Sequence, residues 1–240
     1  MSTFLQMVNQ CRVEAGITSG DLSTLQTTGG NALSAESTRF KNWINNEWMR
    51  IQADKDQWQF LRKESVFTAQ ALTAKYTPAT VGAGSNPSFT AAQFANWKRD
   101  SFRVYRSPDY TDEMLAGFVN YDQWRNIYQY GSMRTNYSRP VAVSVAPDKS
   151  LCLGMIPDSS GPYYVVFEYY QAPQGLSADT DAPTMPAQYH DLIVFRALRA
   201  YGYFMSAAEV AERANTEIAR IYPKLLADQL PVTMSGPPLA

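Results

Sequence analysis

The period of the apolar residues changes twice along this chain, and that change constrains the fold more than any other feature. Near the start, Phe4, Met7, Val8, Cys11 and Ala15 recur at helical spacing, with Thr3 and Gln6 placed as a capping box and Gly16 as a stop. Residues 17–35, rich in Gly, Ser and Thr and without a period, read as a loop. Phe40, Ile44, Trp48 and Ile51 then resume the helical stripe in a second predicted helix over 36–55. From 58 to 68 the period shortens to two, which predicts a strand.

The middle of the chain keeps that shorter period. Residues 69–97, broken by Pro78, Gly82, Gly84 and Pro87, predict an extended loop or a long mobile hairpin. Alternation returns over 100–106, and a short helix is predicted around Asp122, with Trp124, Ile127 and Tyr128 on one side and Gly131 as its stop. Three alternating runs follow, at 140–146, 151–156 and 163–170. The turns at 147–149 and 157–161 separate them, which predicts an antiparallel meander.

Past a polar linker at 175–183 the helical period returns. Thr184 is placed as a cap, Pro186 in the first turn, and Tyr189, Leu192, Ile193, Ala197, Ala200, Tyr201 and Phe204 on one face. Ser206 and Glu209 read as a further capping box, Val210 to Leu225 keep the spacing, and Pro223 is expected to kink or end that helix. This order predicts an α+β fold. Residues 1–57 with 184–230 form a helical bundle, 58–183 an inserted antiparallel β-domain, and 231–240 an extended tail.

Composition removes much of the chemistry. The chain has one histidine, His190, so a multi-imidazole zinc site and an HExxH protease have too few ligands. Cys11 and Cys152 are too few for a disulfide framework and are expected to stay thiols. Twenty-one Lys+Arg stand against 22 Asp+Glu, a formal charge of -1, which lacks the basic excess of a nucleic-acid binder. The longest apolar runs are far short of a membrane span, and the first residues lack the basic start and apolar run of a secretory signal. Charged residues make up 18% against about 25% in an average domain, while aromatics are plentiful. That balance suits a chain whose surface is largely covered by partners.

No catalytic constellation emerges. His190 is a possible general base, but only Asp191 and scattered serines lie near it in sequence, and it reads as a partly exposed residue of a first helical turn. The acidic groups Asp109 with Asp112-Glu113, and Asp179 with Asp181, lack a calcium-loop pattern and read as solvated turn residues. Gly82-Ala83-Gly84 has no third glycine and opens no helix, so it does not make a phosphate-binding loop. Arg62-Lys63 and Lys98-Arg99 read as strand-end charges. Tyr163, Tyr164, Tyr169 and Tyr170 suit a stacking platform for bases or sugars, or a sheet with one face buried and the other covered by a partner.

Several segments, in order, carry a resemblance. Residues 46–67 couple a helix containing Trp48 and Ile51 to the Trp58-x-Phe60 strand entry; 100–106 (DSFRVYR) lead to 121–125 (YDQWR) and 130–132 (YGS). Arg139-Pro140 opens a strand that closes on 147–151 (PDKSL), Glu168-Tyr169-Tyr170 precedes 176–179 (LSAD), and Met185-Pro186 starts the last pair of helices. Over nearly the whole chain this string resembles the head-to-tail adaptor (head-completion, or connector) proteins of tailed bacteriophages. The resemblance implies a structural, non-enzymatic virion protein without a cofactor or resident metal. It implies a homo-dodecameric ring under the portal, assembled in the host cytoplasm, that contacts the portal protein and tail or head-closure proteins and surrounds double-stranded DNA without reading its sequence. It implies no membrane contact, and it assigns the C-terminal segment to the portal, with Leu225, Leu226, Leu230, Val232 and Leu239 as anchors. The alternative left by the residues alone is a β-rich carbohydrate- or nucleic-acid-binding module.

Overall fold

A computed structural model describes residues 2–17, 20–26, 33–106 and 110–230. Parts of the loop expected at 17–35, and the tail expected at 231–240, lie outside the described residues. The chain opens with helices α1 (Phe4–Glu14) and α2 (Ala35–Ala53). Its middle holds β1 (Arg62–Ala69), β2 (Lys75–Tyr76), α3 (Pro78–Ala83), β3 (Ser85–Asn86), β4 (Phe94–Trp97) and β5 (Arg103–Tyr105). Then come β6 (Met114–Leu115), β7 (Gly117–Phe118), α4 (Tyr121–Trp124), β8 (Ala142–Val145), β9 (Leu151–Gly154) and β10 (Tyr163–Gln171). The long helices α5 (His190–Phe204) and α6 (Ala208–Gln229) follow. Helices and mixed sheets make the fold α+β.

Two compact units divide the chain: residues up to Leu61 together with those from Pro173 on, and Arg62–Ala172. In the first unit the Thr3–Gln6 capping box is formed, and Gly16, at φ +80°, follows the end of α1. Phe4, Met7, Cys11, Phe40, Ile44, Trp48 and Ile51 share one core with residues of α5 and α6. Helix α5 is buried on more than one side and packs against α1, α2 and α6. Gly202 permits the last of these contacts: a Cβ there would lie 2.8 Å from the Ala211 backbone nitrogen.

Three expectations for this half change. Helix α5 begins at His190, after a 3₁₀ turn (Ala187–Tyr189), so Thr184 does not cap it. Ser206 lies at φ +56° in the turn between α5 and α6, where the Ala207 N–H donates to the Gly202 carbonyl at 2.8 Å, so it closes α5 and does not cap α6. Pro223 does not end α6, which runs on to Gln229. Ile221 and Leu225, one turn apart, are both anchored in the core while Pro223 faces outward, and that burial holds the helix across the missing N–H.

In the second unit β10 is the hub of one sheet, ordered β3-β1-β10-β5-β6, with β4 also paired to β10. The other sheet is ordered β2-β9-β8-β7, and its β7–β8 pair is parallel. The expected three-strand meander is therefore split. Strands β8 and β9 form the hairpin over the turn at 147–149, but β10 belongs to the other sheet. The strand expected from 58 starts at Arg62, after a 3₁₀ turn (Gln59–Leu61), because Trp58 and Leu61 are drawn into the helical unit's core. Near Asp122, α4 passes into a π-turn (Arg125–Gln129); the wider winding leaves Trp124 buried and turns Ile127 out to solvent.

The largest correction is at 69–97, which is neither loop nor long hairpin. Strand β2 pairs with β9, and Thr77 caps α3 with Pro78 in the first turn. Val81, Phe89, Phe94 and Trp97 enter the core of the sheet. Phe89 stacks on Tyr169 with ring centroids 4.3 Å apart. These apolar residues are too widely spaced to show a period, so only the turn residues between them were visible in the sequence. Gly82 fits under Phe89, whose backbone oxygen would lie 2.2 Å from an added Cβ. Gly82→Ala is therefore expected to destabilise the protein by about 1–3 kcal/mol in denaturant unfolding. A neutral result would mean that 69–97 does not pack as described.

Candidate functional site

Side chains first suspected of chemistry are engaged structurally. His190 is 1% exposed, not half out in solvent, because the N-terminal residues lie over the start of α5. The Ser2 N–H donates to Nδ1 at 3.3 Å, and Nε2 lies 3.0 Å from the Met185 carbonyl oxygen. Both ring nitrogens thus meet backbone groups, which fixes the Nε2–H tautomer and leaves no nitrogen for a nucleophile. Asp191 is exposed and accepts from Gln10 at 3.2 Å.

The acidic pairs hold loops. Asp179 accepts from the Thr24 hydroxyl at 2.5 Å and the Leu25 N–H at 2.9 Å, and Asp181 from the Ser177 and Ala178 N–H groups. Those hydrogen bonds hold both carboxyls below the ordinary aspartate range. Their backbone carbonyls accept from Leu5 and Phe4, which satisfies the free N–H groups at the start of α1. Asp112 pairs with Arg139 at 3.1 Å and accepts the Arg106 N–H, while Asp109 lies outside the described residues. Cys11 and Cys152 are buried free thiols, and burial pushes Cys152 up to about 11.

What stands out instead is exposed aromatic surface. At the corner between α5 and α6 three consecutive residues face water: Tyr203 is 65%, Phe204 53% and Met205 52% exposed. Phe204 packs on Trp43 with centroids 5.7 Å apart, and the Arg39 guanidinium stands 4.6 Å above its ring. Behind them Tyr201 stacks on the buried Phe40 at 5.1 Å. The patch is thus rigidly backed from the core, and aromatic rings with Met and Arg are what protein interfaces concentrate. The sequence placed Phe204 on the buried face of its helix. The signal available was three large apolar residues in a row at a helix end, more than one buried face can absorb.

A second surface is the open face of the β10 sheet. Tyr163, Val165, Phe167 and Tyr169 point into the core, whereas Tyr164, Val166, Glu168 and Tyr170 are half-buried on the other face. The four tyrosines therefore divide between two faces and make no common platform. On the open face Tyr164 stacks on Tyr105 at 5.0 Å, and Tyr110 meets Tyr105 at 4.8 Å. At its other end Glu168 joins Arg62 at 2.5 Å and Lys98 at 3.3 Å, and Glu64 lies directly across from it. Burial raises the Glu168 carboxyl, but hydrogen bonds from Arg62 and Lys98 outweigh that and hold it below the usual glutamate range.

The proposed C-terminal anchors divide as well. Leu225 is fully buried in α6, and Leu226 and Leu230 pack against the same core. Val232 and Leu239 lie outside the described residues. No helix among the described residues is long and apolar enough to cross a membrane.

Comparison with known proteins now bears on these surfaces. A search of curated proteins finds no significant match. The family model described as SU10 adaptor protein matches residues 2–236. The chain belongs to that family, which comprises phage head-to-tail adaptors.

The two surfaces make different predictions. Phe204→Ser should lower stability by only about 1 kcal/mol, where a buried Phe would cost about 3–5. Denaturant unfolding checks this, and a loss in the buried range would make Phe204 a core residue. For Glu168, a carboxyl depressed in the folded state stabilises fully above the unfolded glutamate range, and that contribution is lost as pH falls through the folded value. Glu168→Gln should therefore lower stability at neutral pH and flatten its fall on acidification; unfolding curves of equal acid slope in both proteins would contradict this.

Proposed function

We propose that this member of the SU10 adaptor protein family is the head-to-tail connector of a tailed-phage virion, a dodecameric ring seated beneath the portal. The observation that carries the reading is the family match over residues 2–236. The ring would continue the DNA channel and offer the tail or head-closure proteins a docking surface. Helices from the two ends of the chain act in it as one bundle, with the β-rich segment as an insertion. Exposed aromatic surfaces support this reading, since a subunit that meets copies of itself and other proteins needs more than one such face. The Tyr203–Phe204–Met205 corner and the open face of the β10 sheet are the two best suited. Within the C-terminal segment, Leu225 is committed to the chain's own core. Leu226 and Leu230 are only half-buried on that core, so contact with the portal falls to them together with Val232 and Leu239.

Electron microscopy of the full chain mixed with its cognate portal protein tests the reading. A ring of added density beneath the portal is the expected result, and a bare portal at saturating chain would overturn it. In the same assay a chain ending at Leu230 should stay folded but co-sediment with the portal less completely. Unchanged stoichiometry would remove the assignment of Val232 and Leu239.

A further inference from the structure

Two exposed surfaces of this chain each carry one unpaired charge, and the signs are opposite. On the open face of the β10 sheet the register sets Val66, Val166, Arg103 and Leu115 in one row across β1, β10, β5 and β6. Directly opposed residues of an antiparallel pair share a face, so the rows on either side hold Tyr164 with Tyr105 and Glu64 with Glu168. Leu115, at the edge of the row, is 59% exposed. Among these residues lies a hollow of about 210 Å³ lined by Glu64, Lys98, Ser101, Arg103, Val166 and Glu168. Its ions do not balance. Glu168 takes Arg62 and Lys98, Asp100 shares Lys98, and Glu113 takes Arg103. Glu64 is exposed and makes no ion pair among the described residues, so four carboxylates face three cations. At the corner between α5 and α6 the odd charge is positive. The Arg39 guanidinium stands 4.6 Å above the exposed Phe204 ring, and Tyr203 and Met205 on either side of Phe204 are exposed too. Arg39 makes no ion pair among the described residues, not even with Glu36 one turn before it.

We propose that the Tyr203–Phe204–Met205 corner of one copy docks on the open sheet face of a second copy, with Arg39 entering the hollow to meet Glu64. Apolar side chains on both surfaces supply the driving force: tyrosine, phenylalanine and methionine on the corner, and the Val66–Val166–Leu115 row on the sheet. The two charges decide the partner. Covering either of them with a neutral surface would bury an uncompensated ion, which costs several kcal/mol, whereas each surface holds the ion that the other lacks. Phe204 occupies the flat face of the guanidinium and leaves its N–H edge open, and that edge fits a carboxylate through two parallel hydrogen bonds. With water taking about 30 Å³ per molecule, the hollow has room for the head of one long side chain. Both surfaces are also fixed in advance, the corner by Trp43 and the stacked Tyr201 and Phe40, the sheet by its ladders, so little ordering cost opposes the contact. Because the two patches differ, the contact is head-to-tail and each copy keeps one patch of each kind for the next. The pairing itself needs only two copies of the chain; it rests on the connector reading for the closure of such contacts into a ring.

The test is cross-linking between two preparations of the full chain, one carrying Met205→Cys and the other, with a size tag, Leu115→Cys. Cys11 and Cys152 are buried, so a short bismaleimide reacts at the introduced thiols. The mixed dimer should form about tenfold faster than the like dimer of either preparation alone. Arg39→Glu in the Met205→Cys chain should slow it about tenfold, and Glu64→Arg in the Leu115→Cys chain should then restore it, because the reversed charges again attract. Circular dichroism checks that each variant is folded, and the restored rate is itself a result that a misfolded chain could not give. Equal rates for mixed and like dimers, or no recovery in the doubly reversed pair, would overturn the proposal. So would fastest linking by Met205→Cys alone, which would make the corner meet its own copy. Electron microscopy with the portal separates the two readings. A ring on the portal without the mixed cross-link overturns this pairing alone, and the cross-link with its rescue beside a bare portal overturns the connector alone.

Discussion

The pairing of β1 with β10 is the interaction on which the second unit depends. Its register runs without a break from Arg62 opposite Tyr170 to Ala69 opposite Tyr163. Arg62 is the first residue of that unit, and its partner Tyr170 lies two residues before the last, Ala172. The pairing therefore brings the two ends of the unit close together, with Arg62 about 5 Å, one strand spacing, from Tyr170. A segment whose ends meet can be added to or removed from a chain without stretching what flanks it. The same strand fixes everything around it. Strands β4 and β5 also bond to β10, so its alternation decides which side chains become core and which stay open. A slip of one residue would exchange Phe167 for Glu168 and leave a carboxylate in an aromatic core. Arg62 and Lys98 on Glu168 oppose that slip by rewarding the carboxylate only on the open face.

This dependence explains which parts of the fold were legible in the sequence. Features set by neighbours a few residues apart could be read: the Thr3–Gln6 box, the Phe40–Ile51 stripe and the β8–β9 hairpin, whose turn holds Lys149 at φ +62°. Features set by distant partners could not. Strands β9 and β10 look alike as alternating runs, and only the pairing of β10 with β1, far upstream, assigns it to another sheet. Segment 69–97 has no period because its core residues, Phe89, Phe94 and Trp97, gather from separate short elements onto one another and onto Tyr169 and Phe167 of β10. Pro223 was misleading for a related reason. Its local cost of about 3 kcal/mol is real, but Ile221 and Leu225 are buried on either side of it, and burying a large aliphatic side chain contributes about 1.5–3 kcal/mol each.

The interaction surfaces were less legible than the fold, and the reason is again physical. A helical period shows that a stripe is apolar, not where burial along it stops. Tyr201 and Phe204 belong to one stripe, yet Tyr201 stacks over the buried Phe40 while Phe204 emerges beyond the end of the helix packing. Likewise, alternation along β10 shows two faces, and only the three-dimensional neighbours reveal that the open face carries stacked tyrosines at one end and a charge network at the other.

Charge placement joins these observations. With 18% charged residues the chain has few ions to distribute, and their partners differ by role. Arg196 pairs with Asp54 at 2.9 Å, stands 4.8 Å from the Tyr222 ring and is largely covered, tying α5 to its neighbours. Arg213 reaches Glu14 at 2.6 Å and ties α6 to α1. A carboxylate partner occupies the N–H edge of a guanidinium, whereas an aromatic ring occupies only its flat face. Arginines that fasten the fold therefore have acids beside them, and arginines held against a ring without one (Arg39 and Arg99) keep that edge open. A free surface lysine would carry equal charge but would lose more side-chain entropy on binding. Ring-held arginine is thus the form in which a charge-poor chain can present a cation already oriented for a partner.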